Sequence, residues 1–292
     1  MARRRTILVV YKKSAFQLYA LERKEPKVRA LMRRGSVQTR IMAQSHLEHA
    51  ASLQAVLGAC RATGADVREV YRAHLRSTSH ADLVVTVGGD GTLLDASHRV
   101  ARTPLLGVNS NPTRSVGFLT GATAATFADV LEGVLARTLR PLRLLRLDVA
   151  INGRSLGVPV LNDVLFCHVN PAATSRYTLQ LGRAREEQKS SGAWVATAAG
   201  STAAVLSAGG QRDDMEARRF QYRVREPYAP PGTVVHHVGG FVGSHGLLRF
   251  ISGMREGAVF VDGSHLRFPV GMGDVLTLSA RAPALYLVRP GR

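Results

Sequence analysis

The sequence predicts an α/β N-terminal open sheet with helices on both faces, followed by a β-rich C-terminal domain. Two observations carry this. Up to about residue 138 short apolar runs alternate with helical patterns, the rhythm of a largely parallel sheet. Beyond it come short alternating segments separated by turn signals, the rhythm of antiparallel hairpins. The expected division is therefore residues 1–138, α/β, and residues 139–292, β-rich.

The elements follow in order. Ile7-Leu8-Val9-Val10 reads as the first strand. Leu47, Ala50, Leu53 and Leu57 recur at three- and four-residue spacing and predict a helix. Residues 66–70 and 83–87 read as strands, 92–100 as a helix, 105–108 as a strand and 127–135 as a helix. The charged stretch 22–40, with Pro26 and Gly35, reads as a surface insertion. In the second half Asn152-Gly153, Pro230-Pro231-Gly232, Gly239-Gly240 and Asp262-Gly263 mark turns, an apolar strand runs over 158–169, and 201–208 is a helical interruption.

Composition bounds the function. With 292 residues, 45% of them hydrophobic, the chain can bury a sizeable core. No run approaches the roughly 20 apolar residues of a membrane helix, so a soluble protein is expected. The opening Met1-Ala2-Arg3-Arg4-Arg5 runs at once into a short apolar stretch, and is read as the lead-in to a strand, not a targeting peptide. Cys60 and Cys167 are far apart and lack a Cys-x-x-Cys context, which fits reduced core thiols in a cytoplasmic protein. The formal charge of +18 comes mainly from arginine, against five lysines; it suits polyanions in general, nucleotides and nucleic acids alike. Aromatics make up only 6%, without a basic–aromatic stripe, which argues against an RNA platform.

The most informative stretch is Val87-Gly88-Gly89-Asp90-Gly91-Thr92, which follows a buried strand and opens a helix. Glycines there let backbone N–H groups approach a phosphate, and the helix adds the positive end of its dipole. It is not a P-loop, since the chain has no Gly-Lys pair, and Leu94 stands where a dinucleotide fingerprint needs glycine. A carboxylate beside phosphates needs a role that offsets its charge. Asp90 reads either as the base that takes a hydroxyl proton during phosphoryl transfer or as the stabiliser of its own turn.

Gly88-Gly89-Asp90-Gly91-Thr92 resembles the GGDGT motif shared by NAD kinases, diacylglycerol and sphingosine kinases and, more loosely, phosphofructokinases. Leu161-Asn162-Asp163 resembles the Asn-acidic pair of NAD kinases. Ala198-Ala199-Gly200-Ser201-Thr202-Ala203, with Leu206-Ser207-Ala208-Gly209-Gly210 after it, is similar to their glycine-rich turn before a helix. Gly107-Val108-Asn109 and Gly117-Phe118-Leu119 resemble the segments near the nucleotide site. Order and spacing agree over roughly residues 84–274, so the chain is identified as a member of the NAD(H) kinase family. Ser190-Ser191-Gly192, Ser175-Arg176-Tyr177 and Val224-Arg225-Glu226-Pro227 lean toward the plant-type NADH kinase branch.

The resemblance implies an NAD kinase/diacylglycerol kinase-like fold with the active site between the two domains, and subunits associating as homodimers or higher homo-oligomers. ATP with Mg²⁺ would phosphorylate the 2′-hydroxyl of the adenosine ribose of NAD or NADH. Asp90 would be the base; Gly88, Gly89, Gly91 and Thr92 would hold phosphates. Asn162 and Asp163 would bind the adenosine part, Thr202 and Ala203 would line the adenine pocket, and Gly200, Ser201 and Ser191 would also contact the dinucleotide. This chain departs from the family where Asp163 replaces a frequent Glu, Ser191 a frequent Asp contacting the nicotinamide ribose, and Ala204 a frequent Tyr. Residues 110–118 replace a compact Gly-Arg-Leu-Gly-Phe element, which bears on phosphate contacts around Arg114.

Other candidates read as structure. His236-His237 is expected on a strand with its rings on opposite faces, His168 in the core or at an edge, and Trp194 in the core. Arg143 and Arg146 are expected on a solvated sheet face, and Asp95 toward solvent. Two rival functions follow from the same features: a lipid kinase sharing the GGDGT turn, which would need an apolar acceptor pocket, and a non-enzymatic polyanion-binding protein, whose affinity would fall steeply with salt.

Overall fold

The computed structural model describes residues 4–290; Met1-Ala2-Arg3 of the basic opening lie outside the described residues. The chain forms two compact units, Met1–Leu142 with Tyr286–Arg292, and Arg143–Leu285.

In the first unit the elements are β1 (Thr6–Tyr11), a π-helical turn (Phe16–Glu22), α1 (Pro26–Arg33), α2 (Val37–Ala62), β2 (Asp66–Tyr71), β3 (Leu83–Gly88), α3 (Asp90–Ser97), β4 (Leu105–Asn109), β5 (Ala122–Thr123) and α4 (Phe127–Leu135). Strands β2, β1, β3 and β4 lie side by side, all parallel. The Leu-Val-Val-Thr-Val-Gly run of β3 is buried at every position, as a parallel strand covered on both faces must be. Ile7, Val9, Val85 and Val87 pack one face against Val56, Leu57 and Cys60 of α2 and Phe127, Val130 and Leu131 of α4. On the other face Leu93 of α3 packs so closely on Gly107 of β4 that a side chain there would clash with it. Residues 22–40, expected as a surface insertion, are mostly helical, and α1 buries none of its side chains.

The second unit contains β6 (Leu142–Ile151), β7 (Arg154–Ser155), β8 (Asp163–His168), β9 (Ser175–Leu181), β10 (Ala184–Ser190), β11 (Ala193–Thr197), a short α5 (Ala204–Ser207), β12 (Arg219–Val224), β13 (Gly239–Gly243), β14 (Leu247–Ser252), β15 (Gly257–Val261), β16 (Leu266–Val270) and β17 (Val275–Val288). One antiparallel sheet runs β13-β12-β11-β8-β15-β16 and another β10-β9-β14-β17. Their inner faces share one core, in which Phe166, Tyr177 and Phe250 meet with ring centroids 5.3–5.6 Å apart. The end of β17 passes into the first unit, where Leu287 and Val288 pair in parallel with Leu105 and Leu106.

Five expectations are corrected. Gly239 and Gly240 do not make a turn: they begin β13, held there by antiparallel pairing with Arg223 and Tyr222 of β12. Arg146 does not face solvent but is 1% exposed, with its Nε donating to the Pro283 carbonyl at 2.6 Å. Trp194 is half-buried and walls a cavity, and His236-His237 lies on an irregular segment whose backbone N–H groups bond the Glu186 carboxylate. The helical interruption is shorter than 201–208, since residues 200–203 form turns before α5.

Candidate functional site

In the first unit the parallel register brings the carboxyl ends of β1, β2, β3 and β4 together, since Tyr11 pairs with both Tyr71 and Val87 and Gly88 with Asn109. Such an edge is where open α/β sheets bind ligands. Gly88 ends β3, Gly89 caps and Asp90 opens α3. The Thr92 and Leu93 N–H groups turn back to the Gly89 carbonyl at 2.9 and 3.3 Å. The N–H groups of Asp90 and Gly91, in the first helical turn, have no intrahelical acceptor and point out along the helix axis. A side chain on Gly88 would meet the Thr92 hydroxyl, which is itself buried and without a hydrogen-bond partner among the described residues.

Asp90 holds a loop. Its Oδ2 accepts the Phe118 N–H at 2.9 Å and its Oδ1 the Leu119 N–H at 2.8 Å. Each oxygen keeps a second acceptor site, so the carboxylate can still receive a proton. Ser110 N–H donates to the Gly88 carbonyl, and the Asn109 side chain bonds Asn111 N–H and the Ser115 carbonyl, so the segment after β4 is tied to the glycine turn. Asp95 pairs with Arg72 at 2.9 Å.

In the second unit Asn162 immediately precedes β8 and Asp163 opens it, so the apolar strand expected over 158–169 starts later than the sequence suggested. Asp163 pairs with Ala196 of β11, and β11 leads into the second glycine turn. The Asn162 carbonyl accepts the Thr197 N–H at 3.0 Å, and Thr197 Oγ1 in turn donates to the Leu161 carbonyl and accepts the Gly200 N–H. Gly200 lies so close that a Cβ would stand 2.1 Å from the Asn162 carbonyl oxygen. The fold thus brings the Asn162-Asp163 and Gly200–Ala203 segments together. Gly200→Ala is expected to displace Asn162 and cost about 1–3 kcal/mol, as overpacking does, read as a lowered thermal midpoint.

The other expected residues are placed unequally. Ser201 is 1% exposed and clasps the Asp213 backbone, accepting its N–H at 3.0 Å. Thr202 and Ala203 are half-buried and open toward the start of α5. Ser191 lies at the far end of β11 from Gly200, five paired residues away at ~3.3 Å each, and lines a separate cavity of about 360 Å³. Trp194, Ala204, Ser207, Ala208, Arg225 and Glu226 line another of about 450 Å³.

Asp262, read from the sequence as a plain hairpin residue, organises this site. Its Oδ2 accepts the Leu161 N–H, and its Oδ1 accepts those of Asn162 and Asp163, at 2.7–3.1 Å. Asp163 is 5% exposed and accepts from Asn162 Nδ2 at 2.9 Å. Burial, reinforced by the neighbouring Asp262 charge, pushes its carboxyl up to about 7. Burial also pulls the Arg146 guanidinium down to about 10, with the Asp262 charge opposing. No local pattern signals Asp262, because its partners lie about a hundred residues earlier.

A family model described as ATP-NAD kinase N-terminal domain matches residues 7–139. The chain is 39% identical over 246 residues to a protein of Oryza sativa subsp. japonica described as a probable NADH kinase, covering 76% of this chain and 75% of that one. The chain belongs to the NAD(H) kinase family. An NADH kinase of Arabidopsis thaliana is 36% identical over 235 residues, covering 70% of this chain and 71% of its own. Among solved structures, yeast NADH kinase complexed with NADH aligns over 99% of this chain and 85% of its own, with TM-score 0.70 and 17% identity. An Archaeoglobus fulgidus NAD kinase in complex with ATP aligns over 96% and 93%, with TM-score 0.63 and 21% identity. Both have the fold of this family member: a mixed α/β N-terminal part and an antiparallel β C-terminal part.

Proposed function

We propose that this chain transfers the terminal phosphoryl group of ATP to the 2′-hydroxyl of the adenosine ribose of NAD or NADH, giving NADP or NADPH. The first unit, about residues 1–138, is the nucleotide-binding part, and residues 139–292 hold the dinucleotide and the dimer contact. The observation that carries the reading is the packing of Gly200 against Asn162, which joins two motif segments separated by some forty residues into one cluster of buried and half-buried polar groups. Buried polar groups need partners, and ribose hydroxyls can both donate to and accept from an amide–carboxyl pair.

The roles follow the chemistry of each group. Asp90 takes the proton from the acceptor hydroxyl while its other acceptor sites hold the Phe118–Leu119 backbone. Gly88, Gly89 and Gly91 present N–H groups to phosphates, with Thr92 fixing the turn beneath them. Asn162 and Asp163 bind the adenosine ribose; Gly200, Ser201, Thr202 and Ala203 shape the adenine side. Ser191 contacts the nicotinamide end and, being neutral, shifts preference toward NADH. Mg²⁺ fits as an ion carried by the phosphates of the donor, since it keeps several waters and takes few protein carboxylates. When bound, it neutralises charge on the transferred group.

The buried free thiols of Cys60 and Cys167 suit a reducing cytoplasm, and no helix among the described residues is long and apolar enough to cross a membrane. The test is incubation with ATP, Mg²⁺ and either NAD or NADH, following NADP or NADPH. Faster turnover of NADH is expected; folded protein that binds ATP but forms neither product would sink the reading and direct attention to lipid acceptors.

A further inference from the structure

A second positive feature stands at the edge that carries the glycine turn. Lys12 directly follows β1, its N–H reaching the Val87 carbonyl at 3.4 Å, so it lies beside Gly88. Ile7 and Val9 face α2 and α4; alternation along the strand therefore turns Leu8, Val10 and then Lys12 toward α3. Arg72, directly after β2, lies near enough to repel the Lys12 charge, and is itself tied to Asp95 of α3.

The two lysines at this edge differ. Lys13 pairs with Glu22 at 2.8 Å and lies over the Tyr71 ring. Lys12 is half-buried, and no carboxylate among the described residues pairs with it. Burial, and then the Arg72 charge, lower its basicity, so the ammonium is held where it is least comfortable. The position is also held firmly. His49, 4% exposed on α2, contacts the Lys12 carbonyl through Nε2 at 2.7 Å and the Ser110 hydroxyl through Nδ1 at 2.9 Å. Because a carbonyl only accepts, Nε2 carries the hydrogen and Nδ1 accepts from Ser110. The ends of β1 and β4 are thereby joined around the turn.

We propose that Lys12 is a substrate-contacting residue whose ammonium takes a phosphoryl oxygen of the nucleotide donor seated at the Gly88–Gly91 turn, with Arg72, oriented by Asp95, as the second cation. A desolvated, unpaired ammonium beside another cation is costly in the free protein, and a polyphosphate supplies the missing anion at the place where helix α3 already favours one. The identification of the anion as ATP rests on the kinase reading above; the site itself rests on the geometry of the first unit.

The experiment separates the two. Binding of inorganic tripolyphosphate, measured calorimetrically on the full chain, is compared between wild type, Lys12→Met and Lys12→Arg, alongside KM for ATP and for NAD(H). Lys12→Met is expected to lose at least tenfold in tripolyphosphate affinity and to raise the ATP KM similarly, leaving the NAD(H) KM within about twofold; Lys12→Arg recovers most of the loss. Arg72→Met should have a smaller effect in the same direction. Equal tripolyphosphate affinity in wild type and Lys12→Met, no binding to wild type, or a parallel rise of both KM values overturns the proposal. Lys12-dependent tripolyphosphate binding by a wild type that forms no NADP(H) would retain the site and reject the kinase reading.

Discussion

Asp90→Asn is expected to lower kcat by about 10²–10⁴-fold, the usual worth of a general base. The substitution keeps the shape of the side chain but exchanges an acceptor for a donor, and the structure makes the consequence twofold. One carboxylate oxygen accepts the Phe118 N–H and the other that of Leu119. An asparagine can satisfy only one of these and turns its amide hydrogens against the other. Leaving one such donor unpaired costs about 1–3 kcal/mol, so a lowered thermal midpoint should accompany the loss of rate. The two effects are separable. If Asp90 acts as the base, kcat falls far more than the loop displacement explains, and the residual activity rises with pH as solvent base takes over. If Asp90 serves only to hold residues 117–119, the stability loss remains, both KM values rise, and kcat at saturation stays within about tenfold of wild type.

The local pattern left Asp90 open between base and turn stabiliser because its structural contacts are not local. Its partners, Phe118 and Leu119, are nearly thirty residues on, in the segment where this chain departs most from the compact family element. Where information was local, the sequence was readable. The unbroken apolar run of β3 could only be a strand covered on both faces, and 127–135 carries the spacing of the helix that forms there. Where long-range packing decided, composition misled. Gly239-Gly240 has the chemistry of a turn, yet both residues pair with β12 as the start of β13, with the Arg223 side chain close beside Gly239. Arg146 sits among leucines as an outward-facing residue would, but β6 buries Arg146 and Leu147 consecutively, breaking the alternation. The Pro283 carbonyl of β17 and the Asp262 charge in the β15–β16 turn, which make its burial tolerable, lie more than a hundred residues away. Family motifs located Asn162, Asp163 and Gly200; only the fold revealed the Asp262 carboxylate beneath them.

The position of Asp262 leads to the second large effect, on Asp163. Asp163→Asn is expected to make the protein more stable at pH 8 and less able to bind NAD(H). Burial and then the Asp262 charge push the folded carboxyl up to about 7, against 3.8 for an ordinary aspartate. Between those values the folded state holds a proton that the unfolded state has lost, so stability falls as pH rises from about 4 to about 7 and stays low above it. At about 1.4 kcal/mol per pKa unit the full penalty above pH 7 is about 4 kcal/mol, and less than half of it has accrued by pH 5. An asparagine carries no charge to bury, and its carbonyl can still accept from Asn162 Nδ2. The gain in thermal midpoint should therefore be several degrees at pH 8 and should shrink at pH 5. Binding should move the opposite way. A carboxyl kept near neutrality in a buried site can donate to or accept from a ribose hydroxyl as the ligand requires; its loss should raise the NAD(H) KM roughly 10–100-fold, the scale of a hydrogen bond involving a charged group. Stabilisation with an unchanged KM would mean that Asp163 only closes the start of β8. Stabilisation together with weakened binding would mark a site whose buried charge is retained for its ligand at the expense of stability.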